Sequence, residues 1–375
     1  MAAEQPAAEN AQTEPGSTDT ASLIDTSALE GMLAEMDQQY ADYLEGFSLR
    51  AIWHELRTNG NPPSLDQLVA LFASLFFQEV LASGALLAQI MALSLLALLL
   101  QILRGSFASG QIAQLSSWVV FLLLLALMTA TFSAALQEAR SALQMIADLI
   151  FVLLPLLLPL LAALGGVSTV ALISPALLFA LNLLITLMKN IVFPLICFSA
   201  LLRLAGRLSP HFPISRMAAL CKDAALGLMS IVATLFITFL SLSGIASASR
   251  DGLAIKAAKT ASGAFIPVVG RTLADSLDSV LGTVLLLKQA IGIIGSLGLL
   301  LICALPAIRL LAQAILFRIA GALIQPLGDD ALSAALTDAG NALTLLFAAL
   351  ALCGLFAFFA LALVVGLGSI TMMMR

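Results

Sequence analysis

The sequence predicts an all-α, polytopic transmembrane helical bundle, and three observations predict it. Of its residues 61% are hydrophobic and 10% charged, with a mean hydropathy of +1.06, a balance outside that of soluble domains. Runs such as 150–164 and 342–367 hold almost no ionisable side chain, and roughly 20 such residues suffice to cross a bilayer as a helix. The apolar residues are continuous rather than alternating, which excludes barrel strands, the other fold that satisfies its backbone in lipid.

The N-terminal part is of a different kind. Residues 1–21 are mostly Ala, Glu, Gln, Pro, Thr and Ser, a composition that cannot bury a core, and are expected to form a disordered acidic tail. They show no basic start followed by an apolar run, so no secretory signal is expected there. From Ser22 to Arg57 apolar residues such as Leu29, Leu33, Met36, Leu44 and Ile52 recur at helical spacing among acids, as in a helix or helix pair with one wet face. Asn59 to Pro63 ends this pattern, and Ser64 with Asp66 restarts a helix. Residues 22–80 are therefore expected to be an amphipathic helical extramembrane region, and 81–375 the multi-pass membrane domain.

About eight spans are expected, at 81–103, 115–137, 143–164, 171–188, 224–246, 290–308, 310–327 and 342–368. Segment 191–202, with Pro194 and preceded by Lys189-Asn190, suits a half-membrane or re-entrant piece better than a full crossing. Pro155 and Pro159 are expected to kink their helix against its neighbours. Gly292, Gly295 and Gly298 fit close helix packing. Cys197, Cys221, Cys303 and Cys353 lie in or beside apolar segments and read as small buried hydrophobes.

Charge sets the topology. Acids from Glu4 to Glu79 face only Arg50 and Arg57, whereas the rest of the chain carries more basic than acidic groups. An acidic head argues against nucleic acid or anionic lipid as partner of that region. Residues 203–222 hold Arg203, Arg207, Arg216 and Lys222 without an acid, which places that loop in the cytoplasm. Counting onward puts Arg309 and Arg375 inside and Asp329, Asp330 and Asp338 outside; counting back, with 191–202 as a crossing, puts the head outside.

The remaining polar residues are candidates for function. Asp148, Lys189 and Arg318 stand in apolar context, and Arg318, lacking an acid at helical spacing, is expected to pair with Asp148 or Asp278 if its span crosses; in the interface it would snorkel. Arg271, Asp275 and Asp278 fall at i, i+4 and i+7, one face of a helix. With the turn Gly263 to Gly270 around Pro267, they make 250–289 either an interfacial amphipathic helix or a re-entrant hairpin whose charged face lines a path or a partner contact. No phosphate loop, zinc motif, nucleophile elbow or histidine cluster is present. Neither enzymatic activity nor a cofactor is expected.

The stretch from Lys259 through Gly263, Phe265, Pro267, Gly270, Arg271, Asp275 and Asp278 to Lys288 resembles the stage III sporulation protein AE family, and the order of spans behind an acidic head extends the resemblance to about residues 30–370. Members usually carry a signal peptide, which this start does not show. The resemblance implies a role in endospore formation, as a multi-pass subunit of a channel or secretion-like complex joining mother cell and forespore. It implies other membrane subunits of that complex, and further copies of itself, as partners, and the outer forespore membrane as location. It supplies no catalytic residues. A stand-alone secondary transporter with broken helices at Pro155, Pro159 and Pro194 is the competing reading.

Overall fold

A computed structural model describes residues 27–39, 48–59, 65–85, 87–92, 95–96, 110–164, 167–208, 214–262, 269–327 and 330–373. The helices are α1 Ser27–Gln39, α2 Leu49–Asn59, α3 Leu65–Ala82, α4 Gly110–Ala163, α5 Val167–Leu187, α6 Phe193–Leu208, α7 Ser215–Ser262, α8 Val269–Ile324 and α9 Asp330–Met373, with a π-turn at Met188–Val192 and a 3-10 turn at Gln325–Leu327. No strand occurs among the described residues, in keeping with the all-α expectation.

Among the described residues, six helical stretches are long and apolar enough to cross a membrane: Phe72–Ala92, Leu125–Ala163, Ser174–Gly206, Ser215–Ser243, Gly282–Ile324 and Asp330–Leu367. The six candidates fall short of the expected eight because charges within a helix resemble span ends. Helix α4 runs unbroken through Glu138 and Arg140, merging 115–137 with 143–164, and α8 runs through Arg309, merging 290–308 with 310–327. Gln, Glu, Ala, Arg and Ser around position 138 sustain a helix, and a charge by itself turns no backbone.

Segment 191–202 also needs correcting. It continues α5 into α6 within one candidate span rather than re-entering. The π-turn explains how the helix survives Pro194: Phe193 N–H donates to Met188 O, one residue farther back than in an α-helix, which widens the turn that the proline ring enters.

The centre of the bundle is the antiparallel pair α8–α9, flanked by α4, with α7 packed on α6 and α9. Glycine makes the close approach possible. A side chain at Gly340 would meet Ala314 O at 2.8 Å and Arg318 N at 3.4 Å, both backbone atoms, and Gly354 lies directly on Cys303. Gly292, Gly295 and Gly298 face Val365, Leu153 and Met36, as their spacing predicts. All four cysteines are free, Cys197 and Cys353 buried and Cys221 and Cys303 partly so.

The N-terminal helices form a hairpin against this core. Leu29, Leu33, Met36, Leu49 and Trp53 are at most 1% exposed. Asp37 closes the hairpin by accepting from Ser48 Oγ at 2.6 Å, Leu49 N at 2.8 Å and Arg50 N at 3.1 Å, satisfying donors that a helix start leaves open. Trp53 Nε1 donates to Glu30 at 3.3 Å.

Candidate functional site

The register of the core fixes where its charges lie. Lys288 touches Val365, Cys303 touches Leu350, and Gly340 lies on Ala314, so α8 and α9 run antiparallel throughout. On the other flank Gly295 faces Leu153 and Arg309 meets Glu138. Residues 289–308 between Lys288 and Arg309 hold no charge, and at about 1.5 Å per residue they cover roughly 30 Å, the thickness of a hydrocarbon core. Residues 224–249 of α7 and 339–373 of α9 are uncharged across the same levels, with Phe236 stacked on Phe356 at 4.8 Å between ring centroids.

At one edge of this layer, Arg309 binds two carboxylates. Its Nε lies 3.2 Å from Glu79 Oε2 of α3 and its Nη1 is hydrogen-bonded to Glu138 Oε1 of α4. Glu79 is only 8% exposed. Three helices thus meet on one guanidinium, whose fork geometry suits two carboxylates at once. No spacing in the sequence signals this group, because the partners are far apart in the chain and Arg309 looks like a charge between two spans.

Inside the layer, a polar seam joins α4 to the π-turn. Lys189 Nζ donates to Gln144 Oε1 at 3.0 Å, Gln144 Nε2 donates to Asp148 Oδ1 at 3.0 Å, and Arg140 Nε donates to the Lys189 carbonyl at 3.3 Å. Arg140, Gln144 and Asp148 stand one helical turn apart, the spacing that lets one face act together. Gln144, Asp148, Asn182, Thr186 and Asn190 are exposed, a polar strip that lipid does not tolerate.

Lys288 is wholly buried and donates to the Val365 carbonyl at 3.0 Å, at the opposite edge from Arg309. Arg318 does not pair with Asp148; its Nη2 donates to Asn341 Oδ1 at 2.8 Å. Asp148 instead accepts from Gln144. Arg203 reaches Asp338 at 3.4 Å. That contact overturns the placing of Asp338 and Arg203 on opposite sides: the start of α9 and the basic 203–222 connection share one end of the bundle. They border a pocket of about 30 Å³ with Ser199, Lys222 and Asn341, room for one or two waters.

Of the signature stretch, Gly263, Phe265 and Pro267 lie outside the described residues. Gly270, Arg271, Asp275 and Asp278 lie in the first turns of α8, with side chains outside the described set. Lys189, expected in apolar context, is held by Gln144, and Lys288, expected in the signature face, is buried against Val365; the Glu79–Arg309–Glu138 group was not foreseen. No cluster of metal-binding side chains exists among the described residues.

The family model for stage III sporulation protein AE matches residues 47–368. This chain belongs to that family. Stage III sporulation protein AE of Bacillus subtilis (strain 168) is 32% identical over 356 residues, covering 95% of this chain and 89% of the relative. No solved structure matches. The match begins between α1 and α2 and takes in the Glu79–Arg309–Glu138 and Arg140–Gln144–Asp148–Lys189 groups and Lys288; with its apolar helices, the chain is a multi-pass membrane protein of a sporulation family.

Proposed function

We propose that this chain is a non-catalytic membrane subunit of a channel or secretion-like complex that links mother cell and forespore during endospore development. It acts in the outer forespore membrane, with other membrane subunits of that complex and further copies of itself as neighbours. Family membership supports the sporulation role. The observation that carries the rest is the set of polar groups kept within the apolar layer, Arg140–Gln144–Asp148–Lys189, and at its two edges, Glu79–Arg309–Glu138 and Lys288. Ionisable side chains in a span mark paths or inter-subunit contacts, because lipid gives them no partner.

The face made by Arg271, Asp275 and Asp278, with Gly263, Phe265, Pro267, Gly270 and Lys288 around it, is the second part of this proposal: it lines the passage or receives a partner. The test is Asp275→Ala and Asp278→Ala in a spore-forming host. Spore yield should fall at least tenfold with protein level and membrane insertion unchanged, and normal yield in both variants refutes the role of that face.

A stand-alone secondary transporter is the second reading, favoured by the π-turn that carries Lys189 beside Pro194, since π-turns and broken helices recur at transport sites. Substrate-dependent flux in proteoliposomes holding this chain alone decides for it.

A further inference from the structure

The α1–α2 hairpin touches the core at an unexpected depth. The Cβ position of Gly298 is 3.5 Å from Met36 Cε and 3.8 Å from Met36 Sδ, with Leu149 Cδ2 of α4 also at 3.8 Å. Gly298 lies midway along the uncharged stretch from Lys288 to Arg309. Met36 is therefore seated about 15 Å from either edge of the apolar layer. Depth propagates from that contact to its neighbours. Glu35 and Gln38 are within two residues of Met36, and Asp37 binds Leu49 N and Arg50 N directly.

The hairpin has two unlike sides. One is the buried set Leu29, Leu33, Met36, Leu49 and Trp53; on the other, Glu35, Gln38, Arg50 and His54 are exposed. An amphipathic helix in the interface would satisfy that pattern at a membrane edge, but the Met36–Gly298 contact puts this one at mid-depth. Carboxylate, guanidinium and amide groups exposed there cannot face hydrocarbon. They need water.

We infer that α1–α2 is an intramembrane element, docked on α4 and α8 near mid-bilayer, whose Glu35, Gln38 and Arg50 line a water-filled path. This moves Ser27–Gln39 and Leu49–Asn59 from the expected extramembrane region into the membrane. It rests on the reading of the chain as part of a transmembrane passage, and it names where the wet surface of that passage lies.

The test uses the full chain in its own membrane, with the four native cysteines replaced. Two readouts are needed. In the first, Met36→Cys and Gly298→Cys are joined with a short bis-methanethiosulfonate, each thiolate displacing a methanesulfinate; Glu30→Cys with Trp53→Cys controls for a folded hairpin. In the second, Gln38→Cys is exposed to a charged, membrane-impermeant thiol reagent, beside Ser215→Cys at an end of the bundle and Leu235→Cys on the apolar outside of α7. The inference predicts cross-linking at 36–298, with Gln38→Cys modified within about tenfold of the Ser215→Cys rate and at least a hundredfold faster than Leu235→Cys.

Fast labelling without the 36–298 cross-link, while the 30–53 control forms, puts the hairpin in bulk water and overturns the inference. Cross-linking with Gln38→Cys as slow as Leu235→Cys means protein or lipid covers the polar side and removes the path. Both readouts are independent of spore yield, so failure here leaves the Asp275 and Asp278 test standing, and failure there leaves this one.

Discussion

Helices α7 and α8 are almost equally apolar in their candidate spans, yet of the 18-residue core of each span 22% is buried within the protein in α7 and 67% in α8. Apolarity does not separate them, because for a membrane chain lipid is as good a solvent as a core. Their small and charged residues do. Helix α8 carries Gly292, Gly295, Gly298 and Gly321 at close contacts and keeps Lys288 and Arg309 inward. Helix α7 turns Ile231, Leu235, Ile237 and Leu242 outward and binds its serines and threonines to its own carbonyls, as at Ser230, Thr234 and Thr238.

If that contrast is right, the largest loss comes from Arg309→Ala. It leaves Glu79 and Glu138 facing each other without a cation, and unpairing a buried ion group costs about 3–5 kcal/mol. Membrane-inserted protein should fall sharply in quantitative blots, and its detergent-extracted melting temperature with it. Gly340→Leu should cost about 1–3 kcal/mol, because the new side chain meets backbone at Ala314 and Arg318 rather than a group that can move. Thermal unfolding in detergent measures it.

Lys288→Met tests whether a buried charge is there for stability. Its partner is a carbonyl, not an acid, and replacing a buried ion by an apolar group of similar size is often neutral or stabilising. The melting temperature should hold or rise while spore yield falls. The smallest effect belongs to α7: Leu235→Ala should change the stability of the isolated protein by no more than about 0.5 kcal/mol. A large loss there would erase the contrast with α8.

How much of this was legible in the sequence follows from the same physics. The all-α membrane class was plain, since length and apolarity set it. The glycines of α8 announced close packing, because only missing side chains permit it. The number of helices was not legible: Glu138, Arg140 and Arg309 look like loop charges until their partners on other helices are known, and pairing is a property of register. Arg318 illustrates the limit, for Asn341 is no more visible in the sequence than Asp148. The hairpin's depth depends on one contact, Met36 with Gly298, that no periodicity encodes.

The measurement that bears most directly on the role of the buried charges compares Arg309→Ala with the triple variant Glu79→Gln, Glu138→Gln, Arg309→Met in a spore-forming host. Neutralising all three removes the unpaired ions, so protein level and insertion should return to within about twofold of the unaltered chain. Spore yield should nevertheless stay at least tenfold low, because the charges serve the passage and not the packing. Normal spore yield from the uncharged triple variant would contradict that account.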